Sequence, residues 1–132
     1  MPINLPKDPR KAVGDFGENL AARFLEEKGY RILMRNYHQP WGEIDLIAEK
    51  EGKIVFCEVK TNSRDFGRGF KPEVRVDQRK AWQIIKSAEL FLAKFYPEQA
   101  KEWRIDIIAV TILKAERKAR LTHFKNAVTG QY

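Results

Sequence analysis

The sequence predicts an α/β or α+β domain in which helices flank a mixed β-sheet. Two stretches space apolar residues with helical period, near residues 13–25 and 81–95. Five short stretches, near 30–37, 43–49, 53–60, 103–113 and 119–124, are rich in β-branched and aromatic residues. Their order along the chain is helix, three strands, helix, two strands. At 132 residues the chain fits a single domain with room for a real core, and residues 1–8 read as a loose tail.

Each element has a local reason. Asp8-Pro9 is suited to capping a first helix, because Pro loses nothing at the first helical position. Val13, Phe16, Leu20, Ala21, Phe24 and Leu25 then form one apolar stripe, which Gly29 stops. Gly14 leaves room for a later start at Asp15. The strand YRILMRNY and the turn HQPWG lead into a hairpin with strands near 43–49 and 53–60. The segment TNSRDFGRGFKP, residues 61–72, carries the Gly, Asn, Ser and Pro of a loop. A second helix starts near Asp77, carries Ala81, Ile84, Ile85, Ala88, Phe91, Leu92 and Phe95 as one apolar stripe, and stops before Pro97. WRIDIIAVTIL, residues 103–113, is almost continuously apolar, as a central strand must be. A basic turn at 114–118 precedes the last strand.

Composition narrows the function classes. One cysteine, Cys57, allows neither a disulfide framework nor a zinc site of clustered thiolates, which fits a reducing cytoplasm. No apolar run reaches the roughly 20 residues that span a bilayer, and MPINLPKDPRK lacks the apolar centre of a secretory signal. The formal charge is +7, and it is concentrated. Residues 61–86 hold seven bases and three acids, and residues 114–125 hold five bases and one acid. A polyanion, nucleic acid foremost, is drawn to such a surface, although a solvated basic face would carry the same charge.

The stretch GEIDLIAEKEGKIVFCEVK, residues 42–60, holds the chemistry. Along its second strand Val55, Cys57 and Val59 share one face, and Ile54, Phe56, Glu58 and Lys60 share the other. If Glu51-Gly52 is a two-residue turn, Asp45 lies opposite Glu58, with Cβ atoms about 4.5–5.5 Å apart. A four-residue turn would place Glu43 there instead, and a three-residue turn would break the arrangement. Two facing carboxylates repel unless a cation intervenes. Lys60 neutralises one; a divalent cation neutralises both, and oxygen ligands suit Mg²⁺. Lys60 would then orient or deprotonate a water. The competing reading is a surface hairpin with one plain salt bridge. Glu18 borders the apolar stripe of the first helix and could look across to the sheet, or it could close a capping box with Asp15.

Several motifs in order and register (FGENLAARFLEEKGYRIL, RNY, WGEIDLIA, VFCEVKT, RVDQRK and WRIDIIAV) closely resemble the uncharacterised bacterial YraN family over roughly residues 12–128. That family is similar to archaeal Holliday-junction resolvases and to PD-(D/E)xK nucleases. The resemblance implies a restriction-endonuclease-like core with the active site at the mouth of a hairpin. It also implies that Asp45 and Glu58 bind Mg²⁺ or Mn²⁺, with the carbonyl of Val59 completing the site. Lys60 would be the catalytic lysine and Glu18 the helix-borne acid. The literal Pro-Asp is replaced by Ile44-Asp45, and Ala81 follows Lys80, leaving Lys80, Gln78 or Arg79 to assist from the second helix.

Among other residues, Asp106 reads as a buried acid paired with Arg104 or Arg35. His38 reads as a turn residue, and Trp82 and Trp103 as packing residues. Trp41 is placed to stack on an unpaired base, and Phe66 and Phe70 sit in a basic loop suited to close on DNA. The expected activity is metal-dependent cleavage of DNA phosphodiesters, selective for branched or junction structure. Arg64, Arg68, Lys71, Arg79 and Lys80 are the expected nucleic-acid contacts. A homodimer is compatible with cutting two strands, and neither a membrane nor an organic cofactor is implied. The rival is a non-catalytic nucleic-acid-binding module that keeps the fold.

Overall fold

A computed structural model of the chain describes residues 10–67 and 74–128. The elements are α1 (Arg10–Glu27), β1 (Arg31–Gln39), β2 (Gly42–Lys50), β3 (Lys53–Arg64), α2 (Gln78–Phe95), β4 (Trp103–Leu113) and β5 (Lys118–Phe124). They form one five-stranded mixed sheet in the order β1-β2-β3-β4-β5. All neighbours are antiparallel except β3 and β4, which are parallel. A parallel pair needs a long crossover, and α2 supplies it. The architecture is α+β, consistent with a restriction-endonuclease-like core.

Strand alternation divides the core into two layers. Val55 and Cys57 of β3 pack with Leu20, Ala21 and Leu25 of α1. Ile54 and Phe56 face the other way, against Ala81, Ile84, Ala88 and Phe91 of α2. Each large side chain so buried contributes about 1.5–3 kcal/mol. β4, hydrogen-bonded on both sides, is buried from Ile105 to Leu113, which is why it reads as an unbroken apolar run.

The helix ends follow their signals. Gly29 takes φ +91° after α1, and the Tyr30 N–H reaches back 2.9 Å to the Leu25 carbonyl. Asp77 caps α2 by accepting from the Lys80 N–H at 2.7 Å. Two expectations change. β3 runs on to Arg64, because residues 61–64 pair with Val110–Leu113 of β4; the first third of the expected loop is strand. α1 also passes through Gly14 without a break, so Asp15 is interior to the helix and caps nothing. The Asp8-Pro9 cap and the tail at residues 1–8 lie outside the described residues.

Candidate active site

The hairpin turn sets the site. Glu51 and Gly52 have φ of +52° and +79°, the two positive angles of a type I′ turn, and Lys50 pairs with Lys53. The register runs back to Leu46 opposite Cys57, and one more step brings Asp45 to the level of Glu58.

There the sheet changes. The pairing of β2 with β3 ends at Leu46, and on the other side the β1 pairing passes from Leu46 to Ile44. Asn36, across from Asp45, takes φ +52°. The side-chain alternation of β2 breaks at the same point: Leu46 lies in the α1 layer, whereas Ile44 and Ile47 both lie in the α2 layer. Asp45 is therefore released from the ladder, and its Oδ2 accepts the Val59 N–H at 2.8 Å. Strict face-sharing between Asp45 and Glu58 does not describe this site. The strand opens at Asp45 and turns the carboxylate into the gap.

Three further acids surround it. Glu58, its side chain 16% exposed, receives Lys80 Nζ of α2 on Oε1 at 3.3 Å, while its buried Oε2 has no hydrogen-bond partner. Glu18 comes from α1, whose approach is set by its neighbour Gly17. A Cβ on Gly17 would collide with Thr61 Oγ1 and lie 2.9 Å from Thr61 Cβ and Cγ2, so only glycine lets the helix settle on β3 here. Glu18 Oε1 is also buried without a partner. Glu43, at the rim, pairs with His38 Nδ1 at 3.1 Å, which makes His38 a strand residue bound to an acid.

The electrostatics follow. Burial, reinforced by Glu18, Glu58 and Glu43, pushes the Asp45 carboxyl up to about 7 against the pull of the Val59 N–H. Glu18 is also raised, by burial first and by Glu43 and Asp15, with Arg35 opposing.

The bases are arranged differently from expectation. Lys60 Nζ donates to the Arg75 carbonyl at 2.7 Å, and Lys80 is the cation that neutralises Glu58. Arg64 ends β3, and Arg79 is exposed on the first turn of α2. Arg68, Lys71 and Phe70 lie outside the described residues. Phe66 is 64% exposed. Trp41 Nε1 donates to Ser87 Oγ at 2.9 Å, fixing that ring against α2, and Lys86 stands over both Trp41 and Trp82. Trp82, read as a packing residue, is 46% exposed. Trp103, 37% exposed, packs edge-on against Phe56. A cavity of about 770 Å³ beside Arg75 and Lys125 is lined by none of the four acids.

Whether the acids suit a metal is decided by their unsatisfied oxygens. Two orphaned carboxylate oxygens beside a third carboxyl raised to about 7 form an arrangement that a divalent cation would complete. Among the described residues no three His, Cys, Asp or Glu side chains close into a ready ligand set. Two carboxylates would leave most of an ion's shell to other oxygens, and Mg²⁺ usually fills such positions with waters.

Asp106 has the opposite environment. It is 0% exposed and accepts from Arg104 Nε at 2.9 Å, His123 Nε2 at 2.7 Å and the Asn126 N–H at 2.8 Å. Burial alone would raise it; these hydrogen bonds outweigh burial and hold it below the ordinary carboxylate value. The sequence offered Arg104 or Arg35 as its partner; Arg104 takes that place, and Arg35 Nη2 instead donates to Asn19 Oδ1 at 2.7 Å. His123 and Asn126 were not legible in sequence, since nothing local marks residues seventeen and twenty positions away.

Fold and site together define an α+β protein with a restriction-endonuclease-like sheet and a carboxylate cluster at the open end of its central hairpin. The chain belongs to the uncharacterised protein family UPF0102, whose profile matches residues 17–110. It is 42% identical to the UPF0102 protein of Syntrophomonas wolfei over 121 residues, covering 89% of this chain and 97% of that one. It is 41% identical to that of Trichlorobacter lovleyi, covering 92% and 94%, and 40% identical to the UPF0102 protein TTE1452 of Caldanaerobacter subterraneus, covering 93% and 99%.

Proposed function

We propose that this chain is a metal-dependent phosphodiesterase acting on DNA, selective for branched or junction structure rather than for base sequence. The observation that carries this reading is the pair of buried, partnerless oxygens, Glu18 Oε1 and Glu58 Oε2, beside an Asp45 carboxyl raised to about 7. A folded protein leaves such groups unsatisfied at a cost of about 1–3 kcal/mol each, and they recur where a ligand completes the site.

Asp45 and Glu58 would hold Mg²⁺ or Mn²⁺, with Glu18 orienting the pair. The bound ion would supply Lewis-acid activation of water and charge neutralisation at phosphate. Lys80 holds Glu58 in place through Oε1. Lys60, from the same face of β3 as Glu58, would exchange the Arg75 carbonyl for the attacking water or a phosphate oxygen. Arg64, Arg68, Lys71 and Arg79 would track the backbone, which fixes position without reading sequence. The described residues of one chain offer one such site, so a homodimer would cut two strands.

The engagement of Lys60 with Arg75 favours a second reading, a nucleic-acid-binding module that does not cut. Wild type and Asp45→Asn are incubated with labelled four-way-junction, flap, single-stranded and duplex DNA in Mg²⁺, Mn²⁺ and EDTA. The expected result is cleavage by wild type alone, only with metal and preferring branched DNA, with DNA binding retained in Asp45→Asn. Cleavage by Asp45→Asn would sink the assignment; binding without cutting in every metal would support the second reading.

A further inference from the structure

At the other end of β2, roughly 17 Å along the strand from Asp45, the charge pattern is inverted. Lys28, just past α1, Lys50, at the end of β2, and Lys125, just past β5, line a cavity of about 260 Å³ together with Phe24, Tyr30 and His123. A second cavity, about 150 Å³, shares Tyr30, Lys50 and Lys125 with it and adds Lys53 and Arg104. Among the described residues the only carboxylate lining either is Glu51, at the turn. Among the described residues no carboxylate pairs with Lys28, Lys50 or Lys125.

The cavity floor is rigid. His123 is fixed by Asp106 and meets Phe24 and Tyr30 edge-on at centroid distances of 6.1 and 6.2 Å. Arg104, held by the same carboxylate, donates to Tyr30 Oη at 2.9 Å. Lys50 is preset as well: its Nζ lies 4.9 Å from the Tyr30 ring centroid and donates to the Lys28 carbonyl at 2.7 Å. That contact caps the α1 C-terminus and uses one of three ammonium donors. Helix capping accounts for Lys50 and favours Lys28, but it gives no reason for Lys125 to arrive from a different strand. Ammonium groups gathered without a counter-ion destabilise one another, and lysine binds phosphate as a point charge.

We propose that this cavity binds a phosphate monoester, either a small free phosphate compound or the terminal phosphate of a nucleic-acid strand. The inference does not depend on the nuclease reading, because the ligand and the site both differ from those of the acid cluster.

The test is calorimetric titration of the full chain in EDTA with inorganic phosphate, with deoxyadenosine monophosphate, and with a short oligonucleotide bearing either a 5′-phosphate or a 5′-hydroxyl. Lys28→Gln/Lys125→Gln leaves the Lys50 cap intact, and Lys86→Gln/Lys94→Gln removes the same charge from α2. Expected is phosphate binding that weakens at least tenfold in the first variant, stays unchanged in the second, and shifts the His123 ring resonances in wild type. A variant-sensitive preference for the 5′-phosphorylated oligonucleotide assigns the strand end; equal binding of both oligonucleotides, with phosphate and nucleotide still bound, assigns the free compound. No phosphate binding by folded wild type, or equal weakening in both variants, overturns the proposal.

Discussion

Asp45 and Asp106 are both aspartates buried wholly or partly in the same sheet, on strands β2 and β4, and they are held in opposite states. Asp106 receives three hydrogen bonds, two of them from Arg104 and His123, and is held ionised below its ordinary value. Asp45 receives one hydrogen bond, from Val59, and faces three acids, which with burial raise it to about 7. Burial alone does not distinguish a structural acid from a reactive one; the sign of the surrounding charge does. An acid whose surroundings supply its counter-charge fixes the fold, and one whose surroundings withhold it leaves room for a ligand.

The largest test of that contrast is thermodynamic. Asp106→Ala leaves Arg104 and His123 facing an emptied site, and removing one partner of a buried pair costs about 3–5 kcal/mol. Asp45→Asn removes a carboxylate that its neighbours repel and keeps an amide that can accept the Val59 N–H. It is expected to unfold in urea at a midpoint equal to or above that of wild type in EDTA. Comparable losses in the two variants would break the comparison.

Titration sharpens it, because the two shifts have opposite signs. Below the ordinary aspartate range Asp45 is protonated in both the folded and unfolded chain and costs nothing. As pH rises from about 4 toward 7 the unfolded chain releases that proton first, so metal-free stability falls, by roughly 2–4 kcal/mol for this group. Asp106 adds stability above its unfolded value, and that stability is lost only in acid, as pH falls through its lowered folded value. Subtracting the Asp45→Asn stability curve from that of wild type should leave a slope between pH 4 and 7. Parallel curves would remove Asp45 from the set of perturbed groups.

Metal gives a third, smaller effect. A ligand that binds only the folded chain adds about 2.7 kcal/mol at a hundred times its Kd. Mg²⁺ or Mn²⁺ should raise the wild-type melting temperature, fail to do so in Asp45→Asn, and still do so in Asp106→Asn. An equal rise in all three would place the ion elsewhere.

How much of this was legible in sequence depends on range. The elements, their order, the Gly29 stop and the start of α2 near Asp77 were readable, because each is set by neighbours within a few residues, whereas the two-residue hairpin turn was one of three lengths the sequence allowed. The register that brings Asp45 level with Glu58 followed from the turn. The release of Asp45 from the ladder did not, since it depends on Asn36 of another strand. Parity could place Lys60 beside Glu58 along β3, but the choice of Lys80 as the ion-pair partner is made by the packing of α2. Local sequence suits Glu18 equally to a cap and to the site, and only the start of α1 at Arg10, well before it, removes the capping role.

The smallest effects come from two glycines three positions apart on α1, and they test what brings Glu18 to the Asp45 end of the molecule. A Cβ on Gly14 meets nothing within 4 Å, so Gly14→Ala should stabilise the chain by about 0.5–1 kcal/mol through helix propensity and the unfolded state. It should leave the metal-induced rise in melting temperature unchanged. At Gly17 the same methyl group runs into Thr61, and overpacking of this kind costs about 1–3 kcal/mol. The helix must lift from β3 to admit it, carrying Glu18 away from Asp45. Gly17→Ala should therefore lower both stability and the metal-induced rise, whereas Gly14→Ala raises the first and spares the second. If Gly17→Ala lowers stability but keeps the full metal response, Glu18 contributes nothing to holding the ion, and the site reduces to Asp45 and Glu58.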